Sequence, residues 1–455
     1  MTDPTAIPAT PRPRARRLFE PVERFLHIEA ASGIILMIAA ATALVWANSP
    51  WSHTYESVWH APLTLGVGPW DSMQSLHFWI NDGLMAIFFL VVGLEIRSEL
   101  HQGALATVRK ATLPAIAALG GVVVPALIYL AVNAEDPTLR SGWAVPTATD
   151  IAFAIGVLAL LGRRVPGELR VLLLALAIID DIAAIVIIAL FYSSGVSSLG
   201  LGVAAGGVLL TLAFQRMGIR SAWIYLAPGA VVWAGMLIAG IHPAIAGVIM
   251  GLLTPVAYHH ASSRPDMRAQ AALDEFRARN QGGERTAQNL DAPLRELRDA
   301  QIDFLPPVLR VQAALHPWVA YGIMPLFALA NAGVSLAGLD FASATFTGVA
   351  LGVVGGLVVG KPLGIVIATV ISVRLGWCEL PRGVGRGAIF VMGCLGGIGF
   401  TMAIFISNLA FKDPASLAAA KFAVLMASTV AAICGLGIAR FTLPKVAETL
   451  PASTG

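Results

Sequence analysis

Apolar stretches of about twenty residues recur along almost the whole chain, and no other feature constrains the fold as strongly. Residues 172–190 are apolar apart from two adjacent aspartates. Such a run is long enough for a spanning helix, and it lacks the alternation of a barrel strand. Of all residues, 57% are hydrophobic and 13% are charged, about half the charge of a soluble domain. This composition predicts an all-α polytopic membrane protein. It excludes an ordinary soluble enzyme, a nucleic-acid-binding domain and a secreted disulfide scaffold.

The stretches predict twelve transmembrane helices. They cover approximately residues 29–48, 77–97, 112–133, 142–162, 169–192, 199–215, 222–238, 243–257, 318–336, 347–373, 388–409 and 419–440. The chain therefore divides into an N-terminal tail (1–28), spans 1–8 (29–257), a hydrophilic loop (258–317), spans 9–12 (318–440) and a C-terminal tail (441–455).

The basic residues predict the orientation of these spans. If the N-terminus is cytoplasmic, Arg140, Lys412 and Lys421 are the basic residues on the outer side, and Lys361 lies within a span. Cytoplasmic loops carry an excess of Lys and Arg, so we expect both termini to be cytoplasmic. In the external loop 49–76, the sequence LTLGVGPW favours a short β-hairpin.

Ionisable residues inside the apolar stretches are the most informative side chains. Each charge at bilayer depth costs at least about 2.5–3.5 kcal/mol. Such residues must pair with one another, face water or perform a function. The simplest structural alternative is a set of buried ion pairs that hold the bundle together. The residues are Asp82, Glu95 and Glu99 around the second span, Asp150 in the fourth, Asp180 and Asp181 in the fifth, and Lys361 in the tenth.

The adjacent pair Asp180 and Asp181 predicts a site for exchange. Neighbouring residues on a helix project about 100° apart, so the two carboxylates cannot share one partner. Lys361 is the basic residue deep within a span and is the natural counter-charge for one of them. A coupled carboxylate pair can hold protons or a small hard cation. Holding one excludes the other, and this competition is the minimum that an exchanger needs.

Two spans carry residues that interrupt helices. Pro146 lies just ahead of Asp150 in the fourth span, and Gly396, Gly397 and Gly399 lie at the middle of the eleventh. Proline removes a backbone donor, and glycine allows the chain to leave helical geometry. Glycines in one span alone would be ordinary helix packing, but paired breaks favour two interrupted helices.

Interrupted helices leave half-helix ends with partial charges inside the membrane. We expect Asp150 to offset facing N-termini and Lys361 to offset facing C-termini. The breaks fall in the middle span of two three-span groups, about 112–192 and 347–440, which start on opposite sides of the membrane. This pattern predicts an inverted repeat with the site between its halves.

Several strings resemble the NhaA-type sodium/proton antiporters, from about residue 28 to 440. The residues that carry the resemblance are WINDGLMAIFFLVVGLEI (79–96), GWAVPTATDIAFAIGVLALLG (142–162), LALAIIDDIAAIVIIALFY (174–192), HPWVAYGIMPLFALANAGVSL (316–336), GKPLGI (360–365) and CLGGIGFTMAIFI (394–406). The inverted repeat is a known property of that family.

The resemblance implies a role for individual residues. It implies that Asp181 and Asp180 bind the cation and protons, with Thr149 and Asp150 at the crossing of the unwound helices. It implies that Lys361 compensates charge or releases a proton. Positions implicated in the family's pH response are Glu95, Glu99 and His242. For these three the sequence also allows a hydrated charge cluster and helix-start packing.

The resemblance also implies a homodimer formed through the external loop 49–76. The chain departs from the family in two places. Gln312 replaces a glutamate tied to pH response, and the insertion around residues 260–308 is longer than usual. Both changes bear on pH activation and leave the ion site intact.

We therefore expect an electrogenic antiporter in a bacterial inner membrane that exchanges intracellular Na⁺ or Li⁺ for external H⁺. It is expected to need no cofactor and to be no enzyme. The three cysteines lack metal-ligand spacing, and the DDxxD and Gly-x-Gly-Asp patterns of intramembrane aspartate enzymes are absent. A sodium-coupled transporter of a small organic solute is the alternative.

Overall fold

The computed structural model of the chain describes residues 14–67, 70–103, 105–193, 195–219, 221–256, 265–281, 291–297, 306–381 and 383–443. Within them, eight helices are long and apolar enough to cross a membrane, and three further candidate spans are pairs of helices bent at a short break. The apolar helix Ala244–Leu253 has only 10 residues. Together they account for the twelve predicted stretches, which confirms an all-α membrane fold.

The described residues form a series of helices and a β-hairpin. In chain order, the helices are α1 (Arg14–Ala47), α2 (Ser52–Trp59), α3 (Leu76–Phe78, Trp79–Leu84 and Met85–Gln102, continuous), α4 (Val108–Val132), α5 (Ile151–Leu160), α6 (Gly167–Phe191), α7 (Ser198–Arg216), α8 (Leu226–Ala239), α9 (Ala244–Leu253), α10 (Pro265–Gln281), α11 (291–297), α12 (Pro307–Trp318, Val319–Ile323 and Met324–Asn331, continuous), α13 (Ala344–Val354, Gly355–Gly360 and Lys361–Arg374, continuous), α14 (Arg386–Gly396), α15 (Phe400–Ala410) and α16 (Pro414–Thr442). The middle segments of α3, α12 and α13 are π-helical turns, a feature frequent at functional sites.

Two helices begin earlier than the sequence predicts. α12 begins at Pro307, and the expected start was residue 318. The sequence His316-Pro317 is typical of the start of a helix, but here the helix continues through Pro317. α1 begins at Arg14, within the predicted tail, where Arg, Leu, Glu and Ala favour a helix. The loop between α9 and α12 contains two further helices, α10 and α11.

The predicted β-hairpin follows α2. Strands β1 (Pro62–Val67) and β2 (Trp70–Ser75) are antiparallel, with Pro62 opposite Ser75. We call the end of the bundle that carries this hairpin the hairpin face, and the opposite end, from which the α9–α12 connection extends, the loop face.

Side-chain caps start several helices. Ser343 accepts a hydrogen bond from the Phe346 N–H at 3.1 Å at the start of α13. Asp413 accepts hydrogen bonds from the Ser416 N–H and hydroxyl at the start of α16. These bonds favour the charged carboxylate and lower the pKa of Asp413 from its ordinary value.

The spanning helices form two groups. Helices α4–α6 and α13–α16, together with the short helix Leu139–Thr147, pack on one another and form what we call the site bundle. The remaining spans form what we call the framework, in which α3 packs along α9 and α7 packs along α8. α1 contacts both α5 and α12, so it lies between the two groups.

Glycines bring two helices of the site bundle into backbone contact. A Cβ atom added at Gly364 of α13 would lie 2.1 Å from the carbonyl oxygen of Gly120 in α4, and one added at Gly120 would lie 2.3 Å from the oxygen of Gly364. No real Cβ atom approaches that closely, so both positions require glycine at this helix separation.

We expect Gly364→Ala to destabilise the protein by about 1–3 kcal/mol, because a methyl group would force α4 and α13 apart. The melting temperature in detergent measures the effect. Gly202→Ala in α7 is the matched control, since an added Cβ there has no atom within 4 Å. An equal melting temperature for Gly364→Ala and Gly202→Ala would contradict the close approach.

Candidate functional site

The fourth span is interrupted beside Asp150. The short helix Leu139–Thr147 contains Pro146 and ends three residues before α5, and the two axes differ by 45°. Asp150 has an extended backbone and caps α5, where its Oδ1 accepts a hydrogen bond from the Phe153 N–H at 3.0 Å. The break therefore places a carboxylate at the N-terminal end of a half-helix.

The eleventh span is interrupted in the same way. α14 ends at Gly396, α15 begins at Phe400, and their axes differ by 44°. A Cβ atom at Gly397 would lie 2.4 Å from the Leu357 carbonyl oxygen, and one at Gly399 would lie 3.2 Å from the Ala148 oxygen. Glycine at Gly397 thus lets α13 pack against this break, and glycine at Gly399 lets the break of the fourth span approach it.

Hydrogen bonds join the two breaks directly. The Asp150 N–H donates to the Ile398 carbonyl oxygen at 2.7 Å. The Asp150 Oδ2 accepts from the Thr401 N–H at 3.0 Å and from the Thr401 hydroxyl. One carboxylate thus accepts N–H groups at the N-terminal ends of both α5 and α15, where the helix dipoles are positive.

Lys361 lies at the C-terminal end of a half-helix, where the helix dipole is negative. Its Nζ donates to the Thr147 carbonyl oxygen at 2.5 Å, at the C-terminal end of the helix Leu139–Thr147. The same Nζ lies 2.9 Å from the Asp180 Oδ2, and both side chains are fully buried. Lys361 directly follows the π-helical turn of α13. It therefore pairs with Asp180 and offsets the negative end of a half-helix at once.

Asp181 has no comparable counter-charge within the described residues. Its Oδ1 is buried without a hydrogen-bond partner, as is the Oδ1 of Asp180. Thr149 Oγ1 lies 2.7 Å from the Asp180 Oδ2 and 2.8 Å from the Gly396 carbonyl oxygen. A buried carboxylate needs a proton or a cation to offset its desolvation. The two unsatisfied Oδ1 atoms therefore make this pair the candidate functional site.

His242 lies apart from Glu95, although both residues are proposed for pH response. His242 Nε2 lies 3.3 Å from the Asp82 Oδ1 near the hairpin face, and Glu95 Oε1 accepts a hydrogen bond from Gln312 Nε2 at 3.3 Å nearer the loop face. Asp82 and Glu95 are 13 residues apart on α3, about 20 Å along the helix. Glu95 and His242 therefore lie in different regions of the structure.

Two residues of the crossing were missed by the sequence analysis. Thr401 holds Asp150, and the Ser428 hydroxyl accepts a hydrogen bond from the Phe400 N–H at 3.0 Å. The position of Thr401 directly after the glycine-rich break was a usable signal. Ser428 lies in α16 and carries no local sequence signal.

We expect Lys361→Ala to lower the free energy of unfolding by about 3–5 kcal/mol, because it leaves the Asp180 charge buried and unpaired. The double variant Asp180→Asn/Lys361→Met removes both charges and should recover at least half of that loss. Thermal unfolding in detergent measures both. Lys412→Ala, at an exposed lysine, is the control. A double variant less stable than Lys361→Ala would contradict the charge pairing.

Comparisons with known proteins identify the family of the chain. The profile of the family described as Na⁺/H⁺ antiporter 1 matches residues 23–438. The "Na(+)/H(+) antiporter NhaA 2" of Sorangium cellulosum (strain So ce56) is 57% identical over 439 residues, covering 96% of this chain and 93% of the relative. The "Na(+)/H(+) antiporter NhaA" of Cupriavidus necator (strain H16) is 57% identical over 430 residues, covering 94% and 92%.

A solved structure of the sodium/proton antiporter MjNhaP1 from Methanocaldococcus jannaschii is a more distant match. It has 17% sequence identity and a TM-score of 0.47, and the match covers 91% of this chain and 98% of that one. The sequence matches decide the family. A family profile that spans almost the whole chain, together with relatives more than half identical over nearly their full length, shows that the chain belongs to the Na⁺/H⁺ antiporter 1 family and is a transporter rather than an enzyme.

Proposed function

We propose that the Asp180/Asp181 pair binds either one Na⁺ (or Li⁺) ion or protons, and that this competition drives the exchange of intracellular Na⁺ for external H⁺. The observation that carries the proposal is the buried carboxylate of Asp181, whose Oδ1 has no hydrogen-bond partner in the described part of the chain. Asp180 is already paired with Lys361. Asp181 is thus the carboxylate for which a mobile cation or proton is the missing partner.

The surrounding donors suit a hard monovalent cation. Carboxylate, hydroxyl and backbone carbonyl oxygens are the ligands that small hard cations prefer. The Thr149 hydroxyl and the Gly396 carbonyl oxygen lie within hydrogen-bond distance of each other, beside Asp180. Gly397 and Pro146 support this arrangement, because they keep the two backbone breaks open next to the carboxylates.

In the proposed cycle, Na⁺ from the cytoplasm displaces protons from the pair, the loaded site becomes exposed outward, and protons then expel the ion. Two protonatable groups against one monovalent cation make the exchange electrogenic. The second proton resides on Asp180 or on Lys361, and the charge count is the same in both cases. The breaks at the centre of two three-helix groups support alternating access by an inverted repeat.

The remaining expectations belong to the same proposal. We place the protein in the inner membrane of a bacterium, surrounded by lipid, with both termini cytoplasmic and the hairpin face outside. The hairpin of β1 and β2 has unpaired edges within the described residues, and pairing of such edges favours a homodimer. Glu95, Glu99 and His242 remain candidates for pH response, with Gln312 bonded to Glu95.

We expect Asp181→Asn to abolish Na⁺-driven proton flux in proteoliposomes, because an amide can neither exchange a proton nor neutralise Na⁺. The assay is dissipation of a preformed pH gradient on addition of Na⁺, with no organic solute present. Asp274→Asn, at an exposed aspartate of α10, is the matched control and should retain wild-type flux.

Two outcomes would contradict this site assignment. One is normal flux through Asp181→Asn. The other is calorimetric binding of Na⁺ to the wild type with no release of H⁺ to the buffer. A pH gradient that Na⁺ dissipates only when an organic solute is added would favour the sodium-coupled solute transporter.

We expect an inside-negative membrane potential to accelerate Na⁺ efflux coupled to H⁺ entry, because each cycle would move one net positive charge inward. Proteoliposomes clamped with K⁺ and valinomycin provide the measurement, and vesicles clamped at zero potential are the control. Equal rates at both potentials would show one-for-one exchange and would contradict the proposed stoichiometry.

A further inference from the structure

Three asparagines form a hydrogen-bonded cluster near the hairpin face, away from the ion site, and two of the three are buried. We call Asn81, Asn331 and Asn408 the asparagine cluster. Asn331 Oδ1 accepts hydrogen bonds from Asn408 Nδ2 at 2.9 Å and from Asn81 Nδ2 at 3.3 Å. Asn331 Nδ2 donates to Asn81 Oδ1 at 2.8 Å. His77 Nε2 lies 3.1 Å from the same Asn331 oxygen. Two amide donors thus converge on one amide oxygen, and a ring nitrogen of His77 lies beside them.

The cluster joins the two helix groups. Asn81 lies in α3 and Asn331 ends α12, both in the framework, whereas Asn408 lies in α15 of the site bundle. The hydrogen bonds of Asp150, Thr149 and Lys361 described above stay within the site bundle. Those from Trp233 Nε1 to the Asp82 carbonyl oxygen and from Gln312 to Glu95 stay within the framework. The bond from Asn408 to Asn331 crosses between the groups.

An aromatic contact lies beneath the cluster, one turn deeper along α15. The Phe405 ring centroid is 5.4 Å from that of Phe89 in α3 and 6.2 Å from that of Phe327 in α12. Ile188 of α6 lines the narrow apolar gap beside Phe405 and Phe89. Thr401, Phe405 and Asn408 are spaced four and three residues apart, so they share one face of α15. That face runs from Asp150 to the hairpin face.

The order of Thr401, Phe405 and Asn408 along α15 links the ion site to the framework. α15 carries both the residue that holds Asp150 and the residue that holds the framework. Separation of α15 from α3 and α12 would open the carboxylates toward the hairpin face. It would break the Asn408–Asn331 bond and the contacts of Phe405 with Phe89 and Phe327. A hydrogen bond between helices in lipid, or inside a protein, shifts such an equilibrium about three- to fivefold.

We propose that the Asn408–Asn331 hydrogen bond, backed by Asn81, is a latch that closes the hairpin side of the ion pathway and must open in every transport cycle. This inference rests on the proposed transport, and it assigns a part of the machinery that holds neither Na⁺ nor H⁺.

Cross-linking tests the latch directly. In a background in which Cys378, Cys394 and Cys434 are replaced by serine, the pair Asn331→Cys/Asn408→Cys is joined with a short reducible bis-methanethiosulfonate reagent. We expect the cross-link to stop Na⁺/H⁺ exchange, because it ties the site bundle to the framework. Reduction with dithiothreitol should restore exchange.

The pair Asn81→Cys/Asn331→Cys is the matched control, because both positions belong to the framework. Its cross-link should change the exchange rate less than twofold relative to the reduced form. Full exchange through the cross-linked Asn331/Asn408 pair would overturn the latch, and so would failure of that pair to cross-link, since the two side chains would then not meet.

A second measurement does not require transport, so it separates the latch from the proposed function. A reporter cysteine at Ile188 is labelled from the hairpin side with an impermeant thiol reagent, in sealed vesicles whose sidedness is set by labelling Lys412→Cys. We expect Asn408→Ala to raise the labelling rate about three- to fivefold. Ser407→Ala, which loses a hydrogen bond to Ala403 within α15, should leave it unchanged. Equal rates for Asn408→Ala and Ser407→Ala would overturn the proposal.

Discussion

Helix ends that lie inside a membrane carry N–H and C=O groups without partners in the helix. The protein itself must bond to these groups, because lipid offers no hydrogen bonds. The two interrupted spans create such ends, and two side chains resolve most of the problem. Asp150 accepts N–H groups from the starts of α5 and α15, and Lys361 donates to the last carbonyl group of the helix Leu139–Thr147. Each of the two charges therefore stabilises the crossing through the helix ends that it contacts.

The charges of the site bundle follow from that arrangement. The negative charge of Asp150 is matched by two positive helix ends, and Asp180 is matched by Lys361. Asp181 has no such matching charge within the described residues. Its side chain is buried, with 2% of the residue exposed, next to the paired Asp180. A site with one uncompensated negative charge in a low-dielectric interior favours a monovalent cation or a proton over a divalent ion. In the proposed site, this charge balance favours singly charged ions over doubly charged ions.

Much of this could be predicted from the sequence, because hydropathy and charge act locally. The sequence alone predicts the spans, the breaks at Pro146 and at the glycines, and the isolated charges. It does not predict which residues form hydrogen bonds between helices. Ser428 and Asn408 gain their significance from hydrogen bonds to other helices, and no periodicity in the sequence predicts those contacts. The early start of α12 was also hidden, because a proline inside a helix resembles a boundary.

The Thr149 hydroxyl has one hydrogen atom but two oxygen atoms within reach, the Asp180 Oδ2 and the Gly396 carbonyl oxygen. If Asp180 is ionised, that hydrogen satisfies the carboxylate and the carbonyl group at the end of α14 goes without it. If Asp180 carries a proton on Oδ2, the acid donates to Thr149 and the hydroxyl hydrogen is released to the carbonyl group. Simple counting of hydrogens thus ties the ionisation of one acid to whether the backbone of the other interrupted span is satisfied.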